Sequence, residues 1–163
     1  MPSEQNAPRF AASRRRGAKP LTTKTNPHTQ LDQNASAGLQ ESVFAHVSSL
    51  PGVRVGESHV SVPGARAFHL DDATNSGGDA FMVEREFAHL HPPSDGSLHA
   101  ALPTEHVELA ISNGWAERHP LAGRYGLPGN IVMIYGPRDE DELATVMELL
   151  DLTYRRASGL TTS

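Results

Sequence analysis

The segment Pro92-Pro93-Ser94-Asp95-Gly96 lies between two apolar-rich runs, Phe81 to His91 and Ser97 to Leu102, and it narrows the fold more than any other feature of the chain. Successive prolines cannot continue a helix, and a short Gly-containing turn between extended runs reads as a β-hairpin. The run 81–91 alone fits helix or strand; the turn that follows favours strand. A hairpin makes the sheet antiparallel, and the rest of the pattern must fit around it. Leu39, Val43, Phe44, Val47 and Leu50 recur every three to four residues, predicting a helix from Ala37 that Pro51-Gly52 ends. Val53 to Val62 and Ala65 to Leu70 read as strands, with Asp71 to Asp79 a polar loop. Pro103 opens a second helix that Asn113-Gly114 stops, residues 115–129 read as a long loop, and Ile131 to Tyr135 as a strand. Asp139 to Ala157 is the clearest helix. Asp139 caps it, acids fill its first turn, Arg155-Arg156 close it, and Leu143, Val146, Met147, Leu150 and Tyr154 form its buried stripe. Arg138, just before it, is expected to pair with the neighbouring acids. The order implies an α+β fold: a single twisted antiparallel sheet with helices packed on one face.

Residues 1–36 carry six basic and two acidic side chains, are rich in Ser, Thr, Asn, Gln and Pro, and show no hydrophobic period. They read as a disordered basic tail, ahead of a domain spanning residues 37–158 and a short flexible tail at 159–163. Residues 37–163 carry eight basic and seventeen acidic side chains, a poor surface for gripping phosphate backbones, so nucleic acid is not an expected partner. The chain has no cysteine, which excludes disulfides, thiolate nucleophiles and Cys-type zinc sites. Arg14-Arg15-Arg16 is not followed by an apolar segment, and no apolar run approaches the roughly 20 residues that span a bilayer. The expectation is a cytoplasmic protein without stable membrane insertion. A Gly-rich phosphate loop, a nucleophile elbow and a dinucleotide fingerprint are absent from the sequence.

The chemistry concentrates in histidine, of which there are nine. On a strand, His89 and His91 point to one face, and closing the hairpin over residues 92–96 sets His89 opposite His99 and His91 opposite Ser97. A one-residue slip would send His99 to the other face. Imidazole takes or gives a proton near neutral pH, and clustered imidazoles depress one another's pKa. Arg118 and His119, on the 115–129 loop, are expected to bring a fixed cation alongside. The expected catalytic set is therefore His89, His91, His99, Arg118 and His119, abstracting an acidic proton while the arginine holds the developing oxyanion. Ser97, Asp95 and Trp115 are candidate substrate contacts, although a core role is favoured for Trp115. Glu86 is expected to face away from the histidines. His28, His46, His59 and His106 read as isolated structural histidines. A competing reading makes His89, His91 and His99, with Asp95, the ligands of a metal; a third makes the cluster a non-catalytic pocket for a small aromatic anion.

The runs Arg85-Glu86-Phe87-Ala88-His89-Leu90-His91, Asp95, Leu98-His99, Gly114-Trp115-Ala116-Glu117-Arg118-His119-Pro120-Leu121-Ala122-Gly123 and Tyr135-Gly136-Pro137-Arg138-Asp139-Glu140 together resemble the fungal luciferase family, which includes small bacterial and fungal luciferase-domain proteins. The likeness covers roughly residues 40–157. It implies an oxidoreductase of monooxygenase or dioxygenase type that joins molecular oxygen to a hydroxylated α-pyrone, with no metal or nucleotide cofactor, its matching positions being His89, His91, Asp95, His99, Arg118 and His119. The fungal enzyme has an apolar membrane segment where this chain has a polar basic stretch. The expected function is oxygenation of a small enol-bearing aromatic or α-pyrone-type molecule without a cofactor, with a metal as the alternative.

Overall fold

The hairpin forms, at the centre of a six-stranded antiparallel sheet. The computed structural model describes residues 7–72, 77–160 and 162. Its strands are β1 (Arg54–Glu57), β2 (Arg66–His69), β3 (Glu86–Leu90), β4 (Leu98–Ala101), β5 (Ala116–Arg118) and β6 (Ile131–Ile134), in the spatial order β1-β2-β3-β4-β6-β5. β3 and β4 pair with His89 opposite His99 and Leu90 opposite Leu98, the register set by a five-residue turn. Gly96 closes that turn at φ +75°, a left-handed conformation that would cost a residue with a Cβ about 1–2 kcal/mol.

Four helices, α1 (Arg9–Ala12), α2 (Ala37–Ser48), α3 (Thr104–Ser112) and α4 (Glu140–Ala157), cover one face. Phe68, Ala88, Leu90, Leu98, Val132 and Ile134 from the sheet meet Val43, Val47, Val107, Leu143, Val146, Leu149 and Leu150 from the helices in one apolar core. The start of α4 follows from its sequence: Asp139 accepts the Glu142 N–H, three acids fill the first turn, and Arg138 Nε reaches Glu142 at 3.0 Å. Side chains alternate across a strand, so His89, His99, Met133 and Glu117 project from the opposite face. That face is covered by irregular chain from the N-terminal segment, the β1–β2 connection and the β5–β6 connection.

Residues 7–36 correct the expectation of a disordered tail. Phe10 is fully buried, the Trp115 indole N–H donates to the Ser13 carbonyl, and Thr22 bridges Gln30. The segment lacks a hydrophobic period because hydrogen bonds to turns and element ends hold it rather than a stripe of its own: Gln30 N–H donates to Asp95 in the β3–β4 turn, Gly136 N–H after β6 to Gln30, and Arg15 N–H to the Asn113 carbonyl at the end of α3. Of the C-terminal tail, Leu160 N–H caps the Arg155 carbonyl and the Thr162 carbonyl meets His106, while residues 161 and 163 lie outside the described residues. The expected 115–129 loop contains the edge strand β5; a run of Ala-Glu-Arg is too short to show an alternation.

Candidate active site

The site begins with an irregularity. β2 pairs Phe68 with Ala88 but His69 with Glu86, so Phe87 is an extra residue in β3. Such a bulge reverses the side-chain parity beyond it. Phe87 and Ala88 therefore both enter the helix-side core, and Glu86 turns onto the face that carries His89, where its Oε2 accepts the His89 Nδ1–H at 2.8 Å. This corrects the expectation that Glu86 faces away. The hairpin register is as expected; the bulge lies beyond it.

Two further imidazole–carboxylate pairs surround this one. His91 Nδ1 lies 3.1 Å from Asp95 Oδ2 and 2.9 Å from Ser97 Oγ. His28, from the N-terminal segment, donates through Nε2 to Glu117 Oε2 at 2.8 Å. Each carboxylate is held by other donors: Glu86 by the Ser58 hydroxyl and His59 N–H, Asp95 by the Ser97 hydroxyl and N–H, and Glu117 by the Thr22 and Tyr135 hydroxyls. Burial pushes all three carboxyl groups up, yet the hydrogen bonds outweigh it, led by His89 for Glu86, by His91 for Asp95 and by His28 for Glu117. Glu117 ends at about 2. Burial moves the other side the opposite way, lowering His89 and driving His99 well below the usual imidazole value.

With all four rings neutral, one arrangement of hydrogens fits these contacts. An ionised carboxylate only accepts, so Nδ1 of His89, Nδ1 of His91 and Nε2 of His28 carry the hydrogens. With one proton per ring, His28 Nδ1 is an acceptor, and it lies 2.9 Å from His99 Nε2. The single hydrogen of His99 therefore sits on Nε2. What remains is His89 Nε2 at 3.1 Å and His91 Nε2 at 3.0 Å from His99 Nδ1. In the all-neutral arrangement three lone pairs converge here.

Above them opens a cavity of about 410 Å³. Its polar floor is His28, His89, His91, His99 and His119; Val60, Val62, Met82, Leu121 and Leu127 are its apolar walls. The His119 ring lies 4.6 Å from that of His99. Its Nδ1 accepts the Leu121 N–H at 2.9 Å, so its own hydrogen is on Nε2. Burial and the neighbouring imidazoles hold its pKa down at about 4. It is a neutral donor.

Residues 84–153 match the family model of the Luciferase domain, and every residue of the β3–β4 imidazole group lies inside that stretch. The proteins named Luciferase from Armillaria ostoyae, Armillaria gallica and Neonothopanus nambi are 30% identical over 155 residues, 40% over 87 and 41% over 71. Residues 84–153 are a luciferase-like domain. The three alignments cover 84%, 50% and 42% of this chain and 58%, 32% and 26% of those proteins, so the chain matches between about a quarter and little more than half of the length of these relatives. No solved structure matches it. Among the described residues no helix is long and apolar enough to cross a membrane.

The luciferase-like domain brings together His89, His91, His99 and His119 and leaves out two of the residues expected beside them. Arg118 is on the helix side of β5, half exposed, with its guanidinium 2.8 Å from Glu108; alternation gives the site face to Glu117 instead, so a carboxylate stands where a cation was expected. Trp115 is packed in the helix-side core, away from the cavity. Ser97 and Asp95 are buried behind His91 as its partners rather than as cavity lining. The site also uses His28, outside residues 84–153, which no local pattern marks; its place follows only from the packing of the N-terminal segment. His46 is a surface partner of Asp151, and His106 packs against Phe10.

Proposed function

We propose that this luciferase-like domain oxygenates a small, electron-rich molecule with an acidic enol, of the aromatic or α-pyrone type, using dioxygen as co-substrate. The observation that carries the reading is the convergence of three imidazole nitrogens on the floor of a cavity with apolar walls. Apolar walls suit the faces of a flat ring system, and the floor suits its one acidic group. The enol proton passes to the imidazole group, and the His119 Nε2–H donates to the oxygen that becomes negative, the task expected of Arg118. The enolate carbon then gives an electron pair to dioxygen: a C–O bond forms, the O–O π bond breaks, and the proton held by the imidazole moves to the distal oxygen as a hydroperoxide.

Oxygen uptake and photon emission with a panel of hydroxylated α-pyrones and enolic phenols test this. Removing a general base costs about 10²–10⁴-fold in turnover, so His89→Gln and His99→Gln are expected to lose at least a hundredfold, and His119→Ala somewhat less, with thermal unfolding curves showing folded protein. No oxygen uptake with any member of the panel, or uptake unchanged in folded His89→Gln and His99→Gln protein, overturns the proposal.

A further inference from the structure

His89 Nε2 and His91 Nε2 converge on His99 Nδ1 at 3.1 and 3.0 Å, and the imidazole group is backed by the buried carboxyl groups of Glu86 and Asp95 and the partly buried one of Glu117. Apart from the imidazoles, the one cation within ion-pair distance of Glu86, Asp95 or Glu117 among the described residues is Lys19, 3.5 Å from Glu117. Buried negative charge of this kind is costly unless a cation offsets it. We infer that His89 Nε2, His91 Nε2 and His99 Nδ1 are the ligands of a divalent transition-metal ion, with the fourth position open to the cavity.

The geometry supports this beyond the presence of three histidines. The three nitrogens lie within 4.8 Å of one another. Nitrogens about 2.0–2.1 Å from a tetrahedral ion stand about 3.3–3.4 Å apart, so the 3.0 and 3.1 Å separations need only a few tenths of an ångström of spreading. The outer nitrogen of every ring is already committed: His89 to Glu86, His91 to Asp95 and Ser97, and His99 through His28 to Glu117. Metal-bound histidines show this arrangement, because a carboxylate on the far N–H fixes the tautomer and raises the basicity of the ligating nitrogen. All-imidazole ligation without thiolate suits Zn²⁺, Fe²⁺, Co²⁺ or Ni²⁺.

A second grouping, His28, His99 and His119, is also close enough to hold an ion. It is a poorer set. His28 Nδ1 and His99 Nε2 share a hydrogen at 2.9 Å, and His119 Nδ1 is taken by the Leu121 N–H. Its part is to lock His99 in the tautomer that turns Nδ1 toward His89 and His91.

The role of such an ion rests on the proposed function. With an ion bound the three nitrogens no longer accept a proton; the enolate oxygen would replace a hydroxide as the fourth ligand, and that hydroxide would carry the enol proton away as water. The test does not depend on turnover. The 163-residue chain stripped with chelator is titrated with Co²⁺, then with Zn²⁺, and followed by visible absorption, elemental analysis and thermal melting. The expected result is one ion per chain, a tetrahedral Co²⁺ spectrum lost on adding Zn²⁺, and a higher Tm with metal than without. His91→Gln abolishes the spectrum, Glu86→Gln weakens binding about 10–100-fold, and His46→Ala leaves it unchanged. Failure of the wild-type chain to take up stoichiometric Co²⁺ or Zn²⁺ overturns the inference, as does uptake indifferent to both His91→Gln and Glu86→Gln. If a variant does not fold, the wild-type titration decides alone. Oxygen uptake by protein that binds no metal discards the ion and keeps the oxygenase; stoichiometric metal with no oxygen uptake does the reverse.

Discussion

On the helix side of the sheet, Phe68, Leu90, Leu98 and Ile134 meet helices with apolar stripes of their own. On the other side, often one residue along the same strands, Glu86, His89, His99 and Glu117 meet irregular chain through hydrogen bonds. The first side needs volume filled, so many apolar side chains of the right size would serve. The second needs a specific donor or acceptor at each position, because a buried polar group left without one costs about 1–3 kcal/mol. One backbone thus supports a tolerant face and an exacting one, and the strand alternation keeps them apart.

The largest expected effect lies on the tolerant side. Phe68→Ala empties a fully buried position and is expected to cost about 3–5 kcal/mol in urea denaturation; a cost under 1 kcal/mol would mean that this face is not the main source of stability. A sharper probe of the other side is pH. The Glu117 carboxyl is lowered from 4.5 to about 2, so the unfolded chain binds its proton more tightly than the folded one. Its contribution, about 3 kcal/mol, is complete above pH 4.5 and lost as pH falls toward 2. Denaturation across this window should show a steep acid limb in the wild type and a shallower one in Glu117→Gln, with equal slopes counting against the carboxylate's role. The smallest effect belongs to Arg118, whose exposed pair with Glu108 is worth at most about 1 kcal/mol. Arg118→Ala is expected to leave stability and oxygen uptake nearly unchanged, and a hundredfold loss of uptake would move the guanidinium back into the reaction.

The two faces also differ in how far they can be read before folding. The helices announce themselves by period, and the Asp139 cap and Leu143, Val146 and Leu150 of the α4 stripe lie where the pattern puts them, while Leu149 is buried and Met147 and Tyr154 pack only at the edge of the core. The His89–His99 pairing was equally legible, since a five-residue turn allows few registers. The covering of the other face has no period. His28 reaches His99 across 71 positions of sequence, and nothing near residue 28 signals it. Parity does not separate Arg118 from Glu117 in the sequence, because β5 is three residues long and a segment that reads as loop has no parity. Glu86 misleads for the opposite reason: parity read along the whole strand turns it away from the histidines, and only the adjacent apolar pair Phe87-Ala88 hints at a break.

That break makes β3 sensitive to length more than to content. Removing Phe87 would restore an unbroken pleat, swing Glu86 under the helices as an unpaired charge and leave His89 Nδ1 without its acceptor, while every other residue stayed the same. A one-codon deletion at that point would therefore disable the imidazole group more thoroughly than most replacements of its neighbours, and relatives that differ in chain length just before His89 should differ in chemistry too.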